Sequence, residues 1–244
     1  IKDNHLKLNR YVNASDGNQL TNKKIDDMHH KANVLFNIMR GGVFHSNYQV
    51  KKSDLINFLK IRNIKTFKLY TKFLNELPNN FSISHLILAT SEMKDKTLKR
   101  LSLEYLPLTF GRRHGDPSRP WNYFKIKMND DNGEQLYYYE GNWRDIFQNW
   151  EALVYSYPEF IEGMIHKFLN ATTFDGYNPY RVTKEGFDWE VIEPENPWSY
   201  IGYWGDHQII YLLNFFEFIE KYYPGKLESY FSKDLFVYAN VPYK

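Results

Sequence analysis

The sequence Gly141-Asn142-Trp143-Arg144-Asp145 is followed, 61 residues later, by the similar sequence Gly202-Tyr203-Trp204-Gly205-Asp206. Each has the form Gly-x-Trp-x-Asp and directly precedes apolar residues that recur with the 3.6-residue period of a helix. We therefore predict two loops, each of which delivers an aspartate to the start of a helix. The apolar residues of the first helix are Ile146, Phe147, Trp150, Leu153 and Val154, and those of the second are Ile209, Ile210, Leu212, Leu213 and Phe216.

The segment between these two loops is rich in both polar and aromatic residues. Its most distinctive parts are Thr172–Arg181, Asp188-Trp189-Glu190 and Pro197–Tyr200. They are too polar for a core and too aromatic for a linker. We interpret them, together with the two Gly-x-Trp-x-Asp loops, as walls of one pocket.

Helical periodicity also marks the first hundred residues. Thr21 or Asn22 is a plausible N-cap for a helix that ends at Gly41-Gly42, and Ser53 is a candidate cap for a shorter one. A third helix is predicted from about Lys65 to Glu76. This part of the chain is therefore expected to be helical.

Residues 84–104 are ambiguous, with Ser91 or Asp95 as possible caps of a helix. Leu106–Trp121 contains three prolines and two glycines, a composition typical of a loop. Phe124–Met128 and Gln135–Tyr139 alternate on either side of Asp130-Asp131-Asn132-Gly133, which predicts a β-hairpin.

The second half contains two similar helical hairpins. The first has a helix from Asp145 to about Tyr155 and a partner that starts at Pro158, and the second has a helix from Asp206 to about Tyr222 and a partner that ends at Phe236. A repeat of about 60 residues built from a helical hairpin and a long loop is typical of an α/α toroid. The predicted fold is mainly α, with αα-hairpin repeats that form all or part of an (α/α)6-type toroid and a small β-hairpin insertion. Residues 1–104 are its helical N-terminal part, and residues 105–244 are its loop-rich part with the site.

Composition excludes several classes of function. The 244 residues include no cysteine, which rules out disulfides, thiolate metal sites and cysteine nucleophiles. The net charge of +2 is spread along the chain without a basic stripe, so no nucleic-acid partner is expected. No apolar run approaches the roughly 20 residues of a membrane span. Because the chain starts at Ile1, we expect it to be a processed product or a segment of a longer protein with further domains. A soluble location is expected, and the cytoplasm is slightly preferred over export.

Several motifs resemble those of known carbohydrate-active enzymes. Trp204-Gly205-Asp206-His207 and the apolar run after it resemble a loop of the (α/α)6-barrel glycosidases of the glucoamylase and glycogen-debranching type. Gly141–Trp150 is similar to a segment of trehalase-like members, although it carries one inserted residue. The run Tyr105–Phe216, which includes Leu106–Asp116, resembles segments of large uncharacterised bacterial proteins assigned to the six-hairpin glycosidase superfamily. A complete barrel needs about twelve helices of about 10–14 residues, so this chain would be a truncated or incomplete toroid.

The resemblance implies cleavage of a glycosidic bond by two carboxylates, one acting as acid and one activating water. We assign the catalytic roles to Asp145, Glu190 and Asp206, in an inverting mechanism that uses no metal and no cofactor. Spacing alone does not pair these carboxylates. Asp145 and Asp206 also have a structural interpretation, because an aspartate at a helix start caps N–H groups and complements the helix dipole.

Aromatic and polar loop residues suit a sugar ligand. A pyranose ring presents an apolar face that stacks on an aromatic ring while its hydroxyl groups reach polar side chains. A tryptophan is also often a core anchor, and an Arg-Arg-His cluster is often an ion-pair network. The predicted substrate-binding residues are Trp143, Arg144, Asp188, Trp189, Trp204, His207, Arg112, Arg113, His114, Asn178 and Arg181.

Two functions from different classes follow. The first is a glycoside hydrolase-like domain that acts on an oligosaccharide, and the second is a non-catalytic carbohydrate-binding or interaction domain of a larger protein. A sugar phosphorylase that holds phosphate with Arg112-Arg113-His114 is a variant of the first. In either case Asp188 or Glu190 is expected to line the same cavity as Trp143 and Trp204.

Overall fold

The computed structural model of the protein describes residues 2–14, 18–42, 44, 48–108, 127, 129–134, 136–189, 194–195 and 209–241. Within these ranges the fold is mainly helical with two small antiparallel sheets, which confirms the predicted mainly helical class. No described helix combines the length and the hydrophobicity needed to cross a membrane. The arrangement of the helices as a toroid stays a prediction.

The N-terminal part contains seven described helices and a two-stranded sheet in which β1 and β2 pair with Val50 opposite Phe81. Its elements are α1 (Lys2–Ala14), α2 (Lys24–Gly41), β1 (Gln49–Lys51), α3 (Lys52–Arg62), α4 (Ile64–Leu69), α5 (Thr71–Glu76), β2 (Asn80–Ser82), α6 (Ile83–Ser91) and α7 (Lys96–Glu104).

The second part contains the larger sheet and the most deeply buried helices. Its elements are β3 (Glu140–Asn142), α8 (Trp143–Val154), a 3-10 turn (Pro158–Phe160), α9 (Ile161–Leu169), β4 (Arg181–Thr183), β5 (Phe187–Asp188), α10 (Ile209–Tyr222) and α11 (Glu228–Phe231). The sheet has the order β3-β4-β5 with antiparallel pairing throughout.

Polar side chains at helix starts explain several boundaries. The Asp95 carboxylate accepts hydrogen bonds from the backbone N–H groups of Thr97 and Leu98 at 2.6 and 3.2 Å, as expected for the N-cap of α7. Ser82 caps α6 in the same way. The prediction for Ser53 is wrong, because α3 begins at Lys52 and places Ser53 inside its first turn.

Two further helices differ from the sequence prediction. The helix expected over Lys65–Glu76 is two short helices separated at Tyr70. The last helix ends at Phe231 rather than at the predicted Phe236. Beyond it, the backbone N–H of Val237 donates to the Asn170 side chain at 2.9 Å.

The first Gly-x-Trp-x-Asp sequence is a strand and a helix start, not a loop. Gly141 lies in β3 opposite Val182, and Trp143 is the first residue of α8. Of the predicted β-hairpin, residues 124–126, 128 and 135 lie outside the described ranges. Its turn is present, since the N–H of Gly133 donates to the Asp130 carbonyl at 3.0 Å, whereas Tyr137–Tyr139 are not assigned to a strand.

The main core contains side chains from both the N-terminal and the C-terminal part. Its aromatic centre packs α8 against α9 and α10 through Trp143, Phe147, Phe168 and Phe215. α8 also packs against α2. The hairpin α8–α9 and its proposed counterpart α10–α11 differ in length, since α11 has four residues and α9 has nine; their equivalence stays a prediction.

Candidate functional site

Seven of the predicted site residues lie outside the described ranges. They are Glu190, Asp206, Trp204, His207, Arg112, Arg113 and His114. The other seven are described, and the structure divides them into three groups.

The first group lies on the sheet β3-β4-β5. Arg181 and Asp188 are directly opposite each other on neighbouring strands, and the Arg181 Nε donates to the Asp188 carboxylate at 2.6 Å. The same guanidinium lies 3.6 Å from the Glu140 carboxylate. Trp189, which is half-buried, follows β5 directly. The sheet therefore brings together two carboxylates and one arginine at a half-exposed surface, and two of these three residues were predicted for the site.

The second group is the first turn of α8. The Asn142 side chain, not Asp145, caps this helix by accepting a hydrogen bond from the Arg144 N–H at 3.2 Å. Asp145 lies one residue further on, 3.8 Å from the Arg144 guanidinium, with about a fifth of its side chain exposed. A negative charge at this position is stabilised by the helix dipole. Both the catalytic and the structural interpretation of Asp145 are compatible with this placement.

The third group consists of Trp143 and Asn178, which are buried. The Trp143 ring has no exposed surface and packs among Phe147, Phe168 and Phe187. The Asn178 side chain donates to the Thr172 hydroxyl at 2.9 Å and so holds its own loop. Stacking of a sugar on Trp143 does not agree with this burial, and we assign Trp143 to the core.

A pocket that the sequence did not predict lies between α6, α7, α9 and α10, and we call it the central pocket. It has a volume of about 440 Å³. Its polar lining groups belong to Tyr48, Ser84, Ser91, Tyr105, Glu159, Glu162, Tyr223 and Lys226, and the remaining lining residues are Ile83, Ile87, Leu88, Leu103, Phe160, Gly163 and Ile219.

The polar groups of the central pocket are held by specific contacts. The Tyr48 hydroxyl donates to the Glu159 carboxylate, and burial together with this carboxylate raises the pKa of Tyr48 well above its ordinary value. The Tyr48 ring stacks on Phe160 with the ring centres 5.5 Å apart. Glu162 forms an ion pair with Lys226 at 3.1 Å. Two carboxylates, one cation and an aromatic platform therefore face one cavity.

The wall between α7 and α9 depends on a glycine. A Cβ atom added to Gly163 would lie 2.4 Å from the Leu103 carbonyl oxygen, which is far below a van der Waals contact. Only glycine allows α9 to approach α7 this closely. Gly163 therefore fixes the width of the central pocket at this side.

Behind the central pocket lies a partly buried ion pair that the sequence did not indicate. The Tyr105 hydroxyl, at the wall of the pocket, donates to the Asp54 carboxylate at 2.5 Å, and the same carboxylate pairs with Lys184. Lys184 is buried and follows β4. This pair connects α3 to the sheet across 130 residues of sequence.

A second buried network is centred on Glu104, at the end of α7. Its carboxylate lies 2.9 Å from the Arg100 guanidinium and 3.5 Å from that of Arg62, and it accepts a hydrogen bond from Asn170 at 2.7 Å. A fully buried carboxylate is stable only with such partners. No group of three His, Asp or Glu side chains in the described ranges is placed to hold a metal ion.

Comparison with known proteins relates part of this structure to carbohydrate-active enzymes. The family model of the glycoside hydrolase family 149 insertion domain 1 matches residues 44–107, which is 64 of the 244 residues. This segment is similar to that domain and supports a relationship to a glycosidase-related family, as the resemblance implied. A search among curated proteins found no match.

The bounds of the matched segment lie between elements of secondary structure. It starts just before β1 and ends just after α7, so it contributes α6 and α7 to the central pocket. The opposite wall comes from residues 159–163 and 219–226, which lie outside the match. The central pocket is therefore the junction between the matched segment and the rest of the chain.

Proposed function

We propose that this chain is a carbohydrate-binding part of a glycosidase-related protein and that the central pocket is its sugar site. The observation that supports the proposal is the composition of this pocket at the junction with the matched segment. Tyr48 and Tyr223 contribute accessible aromatic surface, and Glu159, Glu162 and Lys226 contribute charged groups. A volume of about 440 Å³ lies within the range of small-molecule sites.

The chemistry of these groups fits a sugar. An aromatic ring covers the apolar C–H face of a pyranose, and carboxylates accept hydrogen bonds from its hydroxyl groups. Hydrogen bonds to charged groups contribute about 1.5–3 kcal/mol each. Because Tyr48 and Lys226 already hold the two carboxylates, these acceptors are positioned before a ligand arrives. Such preorganisation lowers the entropic cost of binding.

Binding of glucans and other neutral oligosaccharides, measured by isothermal titration calorimetry, tests this proposal. Tyr223→Ala should weaken the affinity about tenfold, or about 1.4 kcal/mol, because one stacking surface is lost. Glu162→Gln should weaken it about 10–100-fold through the loss of charge-assisted hydrogen bonds. The matched control is Tyr238→Ala, since Tyr238 is 60% exposed and lies outside the pocket.

Two results would contradict a sugar site here. One is a screen of neutral oligosaccharides in which none binds the intact chain. The other is binding that Tyr238→Ala weakens as much as Tyr223→Ala does. Either result would leave the interaction-domain hypothesis as the better account of the chain.

A second candidate function is hydrolysis of a glycosidic bond by Asp145, Glu190 and Asp206. The placement of Asp145 in the first turn of α8 favours it, because this turn directly follows the strand whose Glu140 joins Asp188 around Arg181, and glycoside cleavage needs more than one carboxylate near one site. Asp206→Asn should retain most of any capping, because asparagine caps about as well as aspartate. Loss of turnover at unchanged thermal stability would support catalysis. Retained turnover in a variant that melts earlier would make Asp206 structural.

A further inference from the structure

A second concave site, which we call the basic pocket, lies on the other side of Leu103 from the central pocket. It has a volume of about 380 Å³ and is bounded by α7, α9 and the segment after α11. Leu103 contributes to both pockets, while Met93 and Leu235 complete the apolar lining of this one.

Positive charge is concentrated around the basic pocket. Lys96, Lys99 and Arg100 lie within two turns of α7, and Lys233 faces them from the segment after α11. The one acidic lining residue is Asp234, which pairs with Lys96 at 3.0 Å. Like charges three or four residues apart destabilise a helix. An anion in the pocket would relieve this repulsion.

The charges are not all neutralised by the protein. Arg100 pairs with the buried Glu104 at 2.9 Å, and Lys96 pairs with Asp234. Among the described residues, neither Lys99 nor Lys233 forms an ion pair. Two cations therefore remain available to a ligand.

A buried histidine supplies an independent observation. His166 on α9 borders the pocket with no exposed surface, and neither of its ring nitrogens has a hydrogen-bond partner among the described residues. Burial, together with the positive charges of Arg100, Lys226 and Lys99, lowers the pKa of His166 to about 3. The imidazole is therefore neutral near pH 7 and carries one N–H donor. An unpaired buried donor costs about 1–3 kcal/mol, which a ligand acceptor would recover.

We propose that the basic pocket binds a small phosphorylated molecule, whose phosphate group lies between Lys99 and Lys233 and accepts a hydrogen bond from His166. A phosphate monoester carries a charge of about −1.5 to −2 near pH 7 and has three acceptor oxygens. It therefore satisfies two unpaired cations and one neutral donor at once, whereas a single carboxylate carries half that charge. The apolar side chains beside the charges leave room for the organic part of the molecule.

Calorimetric titration of the full chain at low ionic strength tests the proposal with four probes: glucose 6-phosphate, glucose, inorganic phosphate and sulfate. Glucose 6-phosphate should bind more tightly than inorganic phosphate, and glucose should not bind at this site. The double variant Lys99→Gln/Lys233→Gln should weaken binding of glucose 6-phosphate at least about tenfold. The control Lys72→Gln removes an exposed lysine of α5 that does not line the pocket and should leave the affinity unchanged.

A second readout reports on His166 without a substitution in the core. The ¹⁵N chemical shifts of its imidazole should change when glucose 6-phosphate is added, and they should not change in the Lys99→Gln/Lys233→Gln variant. Equal affinity for sulfate, phosphate and glucose 6-phosphate would overturn the proposal, because the site would then be a general anion site. The proposal is also overturned if Lys72→Gln weakens binding as much as the double variant does, because binding would then not depend on the lysines of this pocket. Tyr223→Ala should weaken binding of neutral oligosaccharides but should not alter phosphate binding. A negative result for the phosphate site is therefore distinguishable from a negative result for the sugar site.

Discussion

Lys167 on α9 should make the stability of this protein rise with pH above neutrality. Its side chain is fully buried, its ammonium donates to the Lys184 carbonyl at 3.1 Å, and it lies 5.5 and 5.3 Å from the ring centres of Tyr139 and Phe187. No described carboxylate forms an ion pair with it. Two ring contacts contribute about 0.5–2 kcal/mol each, which is less than the several kcal/mol needed to remove an ammonium from water. Burial accordingly lowers the pKa of Lys167 from 10.5 to about 7.

This pKa fixes the sign and size of the effect. Between pH 7 and 10.5 the unfolded chain keeps a proton on Lys167 that the folded chain has released. The free energy of unfolding therefore rises with pH in this window, by about 1.4 kcal/mol per pH unit. Below pH 7 the folded protein carries the full cost of the buried charge, which is about 5 kcal/mol.

Chemical denaturation of the parent and of Lys167→Met at several pH values isolates this effect. Methionine is also unbranched and polarisable, so it fills the same space without a charge. From pH 7.5 to 9.5 the free energy of unfolding of the parent should rise relative to Lys167→Met by about 2–3 kcal/mol. The exposed-site control Lys72→Met should show no such change. A difference between parent and Lys167→Met that does not vary with pH would refute the reasoning, because Lys167 would then titrate normally in the folded state.

Three further substitutions test contacts of α7 and α9, the helices that line both pockets. Gly163→Ala gains about 1 kcal/mol of helix propensity but overpacks α9 against the Leu103 carbonyl, at a cost of about 1–3 kcal/mol. The melting temperature should therefore fall. A rise would contradict the close approach of α9 to α7. Glu104→Gln leaves Arg62 and Arg100 without their buried counter-charge, and it should lower the free energy of unfolding measured in urea by about 3 kcal/mol. A decrease of less than about 0.5 kcal/mol would mean that the charge of Glu104 does not stabilise the fold. Asp95→Ala removes the cap of α7 and should cost about 1 kcal/mol, whereas Asp95→Asn should restore most of it.

Most of the helices were predictable because their signals are local. The apolar period of 3.6 residues located α2, α8, α9 and α10, and Asp95 was recognised as a candidate cap of α7. The errors lie at boundaries where a tertiary contact competes with the local signal. At the C-terminus, the periodicity extends a helix to Phe236, whereas α11 ends at Phe231 and the backbone N–H of Val237 donates to the Asn170 side chain.

The candidate sites were less predictable because their residues are far apart in sequence. The pairing of Arg181 with Asp188 depends on the register of β4 and β5, and a shift of one residue would place these side chains on opposite faces. Trp143 was predicted to bind a ligand but is buried. Its position beside Gly141 and Asn142 is typical of a loop, yet it is the first residue of α8 and its ring lies in the core. The type of a residue and its neighbours in the sequence do not show whether a tryptophan stacks on a ligand or is buried in the core.

The sequence by itself determined the mainly helical class and the positions of the principal helices, because periodicity and capping residues are properties of neighbouring residues. The similarity to a glycosidase-related family is carried by residues 44–107, outside the Gly-x-Trp-x-Asp motifs. Only the tertiary structure decided that the buried Lys184 pairs with Asp54 across 130 residues and that His166 borders a basic pocket. In the sequence, Lys184 and Glu104 look like ordinary solvated charges. Their burial follows from the way α7, α9 and the sheet pack together, and no local pattern of residues records that packing.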